Sequence, residues 1–540
     1  MMEKHFAGRT ASPGMALGPL VAFAPETGTR AGSGAVDIEA QALRAALATA
    51  LRDLRRLIEQ SPGETADILA FQVALLEDDV LSEPAFAAIA EGRAAHDAWC
   101  EAMEAEAAGY EASDDEYFRA RAADLRDIRD RVLAALAGSD PVAEVPPGAI
   151  VTAVDLAPSR FLAIDWSQGG GLALTEGSAT SHVAMLARSR GVPAIVGLGV
   201  DLSEFAGHAL VDAHRGVLIL NPSPDARMQF ERDLQSASTA RARADVAALR
   251  PAVTLDGTPI RILLNIADPA ELKGLDPAIC EGIGLVRTEL LFHDRHGLPH
   301  EEQQFAVYRR IVEWAQGRPV TIRTLDAGGD KPIPGVTLAT ESNPFLGVRG
   351  LRLSFARPDV FRTQLRALAR AAVHGELKIM LPMVSLPREL AAARAMLDEE
   401  VPALLSAGVP ARRASLGIMV EVPAAAIAAD QFDADFFSIG SNDLTQYVAA
   451  AGRDVEAVAD LADPVQPAML RLLRYVVEVA RAQRIEVSLC GDAGGDPRAI
   501  PLLLATGLRC LSMAPALVGS AKLAVAAVDL RTLPELAPWP

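Results

Sequence analysis

Leu416-Gly417-Ile418-Met419-Val420-Glu421 and, further on, Phe436-Phe437-Ser438-Ile439-Gly440-Ser441-Asn442-Asp443 share one pattern: a short apolar run that ends in acidic or amide side chains. Such runs, bounded by Gly and polar residues, read as buried strands. Six more short apolar segments stand out, at 262–266, 284–286, 320–324, 379–382, 487–489 and 510–513, and amphipathic helical stretches separate most of them. About 290 residues carrying eight strand–helix units fit a TIM barrel. An open doubly wound sheet is the alternative, but its phosphate loops, GxGxxG or GxxxxGK[ST], do not follow the first strand.

Towards the N-terminus the texture changes. Ser12-Pro13-Gly14 is a turn leading into a short strand. From 36 to 138 Ala, Leu, Arg and Glu dominate with apolar residues at i, i+3 and i+4, which predicts a bundle of about four helices. The segments 149–152, 171–174, 209–212 and 217–220 read as strands, and 224–250 as one charged helix. The expected division is an α/β domain of residues 1–35 and 139–223, an inserted helical domain at 36–138, a linker helix at 224–250 and the barrel at 251–540.

The α/β part carries Gly177-Ser178-Ala179-Thr180-Ser181-His182-Val183-Ala184-Met185-Leu186. Two hydroxyl residues that can cap a helix precede His182, and the free N–H groups of a helix start suit a phosphate. His182 is therefore a candidate to carry a phosphoryl group, although a lone histidine is more often structural.

Composition narrows the class. The 540 residues allow about three domains, and half of them are hydrophobic, with Ala supplying much of that share. No apolar run is long enough to span a membrane, and the first residues lack a secretory signal's apolar core, so a soluble cytoplasmic protein is expected. Net charge is −19, which argues against nucleic acid as a partner. The four cysteines, Cys100, Cys280, Cys490 and Cys510, form no CxxC pair and read as reduced thiols.

The chemistry sits where barrel strands run out. The second gives Arg287-Thr288-Glu289, the third Arg323-Thr324-Leu325-Asp326, the fifth Glu421, the sixth Asn442-Asp443 and the seventh Cys490-Gly491-Asp492. Any one could be a satisfied ion pair; five strand ends of this kind point to a site. Arginines aimed at one mouth suit a small, highly anionic molecule, because guanidinium forks bind carboxylate and phosphate. Glu421 and Asp443 suit Mg²⁺ completed by substrate oxygens, and a cysteine beside them can move a proton at carbon.

These motifs, in order with Gly328-Gly329-Asp330-Lys331, Asn343-Pro344-Phe345-Leu346-Gly347-Val348-Arg349 and Leu444-Thr445-Gln446-Tyr447, resemble the enzyme I family of the bacterial sugar phosphotransferase system over nearly the whole chain. The resemblance implies a swivelling α/β phosphohistidine domain with an inserted helical bundle, followed by a C-terminal TIM (β/α)8 barrel. It implies that His182 accepts phosphate from phosphoenolpyruvate (PEP) on Nε2. Arg287, Arg323 and Arg453 would hold the substrate, with Asn442 hydrogen-bonding it and Arg349 and Lys331 lining the same pocket. Glu421 and Asp443 would bind Mg²⁺, and Cys490 would protonate the enolate to give pyruvate. The helical insert would dock HPr, the small carrier that takes the phosphoryl group, and the chain would form a homodimer through its barrel. Three positions depart from the family pattern: Ser178 stands for a glycine, Asp492 for a glutamate, and Val183 for a small or hydroxyl residue.

Two alternatives are weaker. A PEP synthase or pyruvate phosphate dikinase would be expected to need a large N-terminal ATP-binding domain. A catalytically silent regulatory scaffold would not be expected to keep His182, Arg287, Arg323, Glu421, Asp443 and Cys490 together.

Overall fold

A computed structural model describes residues 3–23, 32–59, 64–111, 116–138, 145–178, 181–202, 205–292, 298–329, 333, 335–337, 341–452 and 455–533. The chain divides into two compact units, Met1–Gln235 and Ser236–Pro540.

The first unit opens with three strands, β1 (Lys4–Ala7), β2 (Arg9–Ser12) and β3 (Met15–Ala22). Helices follow: α1 (Val36–Glu59), α2 (Glu64–Glu77), α3 (Asp79–Ala90), α4 (Ala95–Glu111) and α5 (Glu116–Ala137). The chain then alternates through β4 (Ile150–Ala153), α6 (Pro158–Ala163), β5 (Gly171–Leu174), α7 (His182–Arg190), β6 (Ala194–Val196), β7 (His208–Asp212), β8 (Val217–Leu220) and α8 (Pro224–Ala248). The described residues of 36–137 hold five helices where periodicity predicts about four. The extra break is local: Asp78 is extended and its side chain accepts from the Val80 N–H at 3.0 Å, ending one helix and capping the next.

The eight strands form one sheet in the order β1-β8-β7-β3-β4-β5-β6-β2. Its centre, β3-β4-β5-β6, is parallel, and the remaining neighbours are antiparallel. The eight residues of β1 and β2 thus lie at opposite ends of the order with only Gly8 between them. A side chain there would press on Ile195 and Val196. Strands β1, β2 and β6 were not expected from the sequence: Lys4–Ala7 is largely exposed and Arg9–Ser12 half exposed, neither carries an apolar run, and β6 is only three residues long.

In the second unit, β9 (Arg261–Ile266), β10 (Ile283–Val286), β11 (Val320–Arg323), β12 (Leu377–Leu381), β13 (Ser415–Val420), β14 (Phe436–Ile439), β15 (Glu486–Leu489) and β16 (Cys510–Met513) close into a barrel. Every neighbouring pair is parallel, and closure runs from Cys510↔Arg261 to Met513↔Leu264. Around it lie α9 (Glu301–Trp314), α10 (Leu351–Ala356), α11 (Pro358–Ala371), α12 (Pro387–Ser406), α13 (Pro423–Ile427), α14 (Ser441–Ala449), α15 (Pro467–Gln483), α16 (Ile500–Ala505) and α17 (Val518–Ala526). Strands covered on both faces need continuous apolar runs, which is why all eight were legible. The end of α8 is bound to this unit: Gly519 lets the α17 backbone meet Ala244 directly. The buried Lys522 ammonium donates to the carbonyls of Ala248 and Ile279, both at 2.7 Å.

Candidate active site

The C-terminal ends of β10, β11, β13, β14 and β15 surround an open cavity of about 400 Å³. Arg287 follows β10, Arg323 ends β11 with Asp326 three residues on, Glu421 follows β13, and Asn442 and Asp443 start α14. Cys490 follows β15, and all seven line the cavity, with Leu285 and Met419 as its apolar wall.

Its charges are organised as an alternating chain. Arg323 bonds Glu289 through Nη2 and Asp326 through Nη1, each at 2.9 Å. Asp326 also accepts from Arg349 Nη2 at 2.9 Å, and Arg349 Nη1 reaches Asp443 at 3.2 Å. Arg323, Asp326 and Arg349 are each 5 % exposed or less. Burial alone would lower both arginine pKa values, but Glu289 and Asp326 around Arg323, and Asp326 and Asp443 around Arg349, outweigh it and raise them. Both guanidiniums are therefore permanent cations. Tyr447 supports the chain, accepting from Arg349 at 3.4 Å and donating to the Phe345 carbonyl at 2.6 Å. Arg287 is half-buried and has no ion-pair partner among the described residues, so its fork is open to an anion.

Glu421 is buried, and burial followed by the neighbouring Asp443 and Asp326 pushes its carboxyl up to about 8. Its Oε1 accepts from the Met383 N–H at 2.7 Å. Met383 takes a left-handed backbone (φ 57°) to present that N–H, a conformation costing about 1–3 kcal/mol in a non-glycine residue. Burial likewise pushes the Cys490 thiol up to about 11, keeping it protonated at neutral pH. At the rim Asn442 is clamped by Asp492: Nδ2 donates to the carboxylate at 2.9 Å, and Oδ1 accepts from the Asp492 N–H at 3.0 Å.

Three family models match in chain order: PEP-utilising enzyme, N-terminal, over residues 7–121; the mobile domain of PEP-utilising enzymes over 145–216; and their PEP-binding domain over 241–530. A curated relative from Bacillus sp. (strain S), phosphoenolpyruvate-protein phosphotransferase, is 41% identical over 528 residues, covering 95% of this chain and 91% of its own. The protein of the same name from Geobacillus stearothermophilus is equally similar, at 41% over 528 residues, with the same coverage of each chain. That from Listeria monocytogenes is 35% identical over 551 residues, covering 99% of this chain and 96% of its own. The chain belongs to the phosphoenolpyruvate-protein phosphotransferases.

In this phosphoenolpyruvate-protein phosphotransferase family member the cavity falls within the PEP-binding match, and His182 within the mobile-domain match. Of the residues expected at the site, the structure brings together Arg287, Arg323, Glu421, Asn442, Asp443 and Cys490, and Arg349 joins them through Asp326 and Asp443. Lys331, Arg453 and the side chain of His182 lie outside what the structure describes. The backbone around His182 is described: it is the first residue of α7, whose N-cap is Ser181, accepting from the Ala184 N–H at 3.3 Å. Glu289 and Asp326 are legible in the sequence only as polar residues near strand ends, and neither Asn265 nor the Met383 amide is legible there as part of the site. Asn265 did leave a signal, as the one amide in the apolar run Ile262-Leu263-Leu264-Asn265-Ile266; a backbone N–H leaves none. Among the described residues no helix is long and apolar enough to cross a membrane.

Proposed function

We propose that this chain moves the phosphoryl group of PEP to His182 and then to a histidine of HPr, releasing pyruvate. The observation that carries this reading is the cavity itself, where one open arginine, the buried cation Arg323 and a protonated thiol converge, with Arg349 paired to the lining carboxylates Asp326 and Asp443. Phosphoryl transfer depends on positioning and on neutralised oxygens more than on covalent help. Arg287 and Arg323 grip the phosphate and carboxylate, Arg349 holds Asp326 and Asp443 in place, and Asn442, fixed by Asp492, hydrogen-bonds the substrate. Lys331 and Arg453 are proposed to complete that grip.

The bond between phosphorus and the enol oxygen breaks, and a P–N bond forms at Nε2 of His182. The electron pair left on the enolate returns through C3, which takes the proton of the Cys490 thiol; water reprotonates the thiolate. A thiol with its pKa near 11 holds that proton until the enolate needs it.

The donor set fits Mg²⁺. Glu421 and Asp443 line one wall, and one carboxylate oxygen of each, Oε2 and Oδ2, makes no hydrogen bond among the described residues. Burial first and Asp443 second raise the Glu421 carboxyl, and a divalent cation would relieve the repulsion between the two carboxylates. Bound there, Mg²⁺ would supply positive charge to the substrate's oxygens.

The remaining parts follow the family resemblance: residues 1–35 and 139–223 as the swivelling phosphohistidine domain, α1–α5 as the docking platform for HPr, the barrel as the homodimer contact, and the cytoplasm as the place of work. Incubation with phosphorus-labelled PEP and Mg²⁺ tests the core of this reading. Acid-labile, base-stable label is expected on the native chain and none on His182→Ala; undiminished label on that variant would refute it.

A further inference from the structure

We infer that Asn265, on β9, is the positioning residue that aims the Cys490 thiol. The inference rests on the reading above, in which Cys490 is the proton donor. Cys490 lies just beyond β15, where the ladder to β16 has a single register pair, Leu489↔Leu511. The Asn265 amide takes over at that point: its Nδ2 donates to the Cys490 carbonyl at 2.9 Å. Asn265 therefore reaches past β16, its own ladder neighbour, to hold the next strand's end.

The amide is itself oriented. Its Nδ2 faces two carbonyls, those of Cys490 and, at 3.4 Å, Ser512, which can only accept, so Oδ1 is the end turned to the Ser512 hydroxyl and accepts from it at 2.6 Å. Ser512 is fully buried, and the space it uses exists because residue 284 is glycine; a Cβ there would stand 2.5 Å from the Ser512 oxygen. On the other side the Cys490 N–H donates to the Ile439 carbonyl at 3.0 Å. Gly491 is pressed so closely against Ser441, at the start of α14, that a side chain would overlap it. Residue 490 is thus held through its N–H, its carbonyl and its following residue, which set the direction of Cβ, while the thiol itself donates to the Ile439 carbonyl at 3.6 Å, a long contact that leaves its aim dependent on the backbone. Removing the Asn265 amide frees the carbonyl alone and lets the thiol drift.

A misplacement of about 1 Å at a reacting group can cost about 100-fold in rate. Asn265→Ala is therefore expected to lower kcat for PEP-dependent phosphorylation by ~10- to 100-fold and to leave KM for PEP within about twofold. The deciding measurement repeats the substitution in a Cys490→Ser background, using the full chain with Mg²⁺ and PEP. Because Asn265 acts through the thiol, the double variant is expected to match Cys490→Ser within about twofold. An equal fall in both backgrounds, or a change confined to KM, would overturn the inference, as would an unchanged kcat. A Cys490→Ser variant of undiminished rate would instead overturn the assignment of Cys490 as donor. Should Asn265→Ala not fold, Ser512→Ala loosens the amide without removing it. A several-fold lower kcat is then expected, again silent without the thiol, and its absence counts against the inference.

Discussion

Neutralising Asp326 should collapse the most tightly wired part of the cavity. Asp326→Asn keeps the size of a side chain that accepts from Arg323 Nη1 and Arg349 Nη2, both at 2.9 Å, and from Arg349 Nε at 3.3 Å. Two guanidiniums lose their shared counter-charge, and the new NH₂ points a donor at donors. With an effective dielectric near 20, each pair is worth ~4 kcal/mol of attraction at ~4 Å between charges. Relief of the carboxylate's own desolvation offsets part of that. The net cost of removing one partner of a buried pair is about 3–5 kcal/mol. At roughly 2 °C per kcal/mol for a unit of this size, the barrel transition should fall by ~6–10 °C. Differential scanning calorimetry of the full chain reads this directly, the barrel transition being the one that PEP raises. A fall of less than ~2 °C would refute the reasoning, because the network would then be worth no more than surface pairs.

Arg287→Ala removes charge-assisted contacts to the substrate worth about 1.5–3 kcal/mol, so kcat/KM for PEP should fall ~10- to 150-fold. Its melting temperature should stay near the parent's, since no ion pair with a described residue is lost. The raised Glu421 carboxyl sets a pH dependence in the metal-free chain. A folded pKa of about 8, above the ordinary 4.5, means stability fully present below pH 4.5 and lost as pH rises through 8. Melting temperature should therefore decline over that window, with a shallower decline in Glu421→Gln. Lys522→Met removes the donor to two half-buried carbonyls, those of Ala248 and Ile279, at about 1 kcal/mol each. It should lower the barrel transition while leaving phosphorylation by PEP at 25 °C intact; an unchanged melt would show that these two hydrogen bonds do not hold the unit together.

What could be read from residues alone follows from burial. Strands such as β13 and β14 are hidden on both faces, so their apolar runs stand out, and a carboxylate or amide directly after the run marks a strand end. Glu421, Asn442 and Asp443 were visible for that reason, and Arg287, Arg323 and Cys490 because a cation or thiol closes an apolar run in the same way; all six surround one cavity. Groups that act through the backbone were not visible. The left-handed turn of Met383 is invisible in its side-chain type, and the reach of Asn265 depends on a barrel closing over 225 residues of chain. Asp326 was seen as polar, but its two arginine partners come from β11 and from a loop before α10, a pairing only the fold creates. The break at Asp78 escaped because a capping aspartate inside a helical pattern differs little from a solvated one.

The path of residues 4–12 bears on solubility. Because β1 and β2 are consecutive in the chain yet stand at the two ends of the strand order, one short segment covers both margins of the N-terminal sheet. Gly8, whose N–H bonds the Gly216 carbonyl at 2.8 Å, is the crossing point. The outermost strands are only four residues long and carry Lys4 and Arg9, features that discourage a second chain from adding itself by strand pairing. Losing that segment would uncover β8 and β6 together, giving each molecule two sticky margins, enough to string copies into chains.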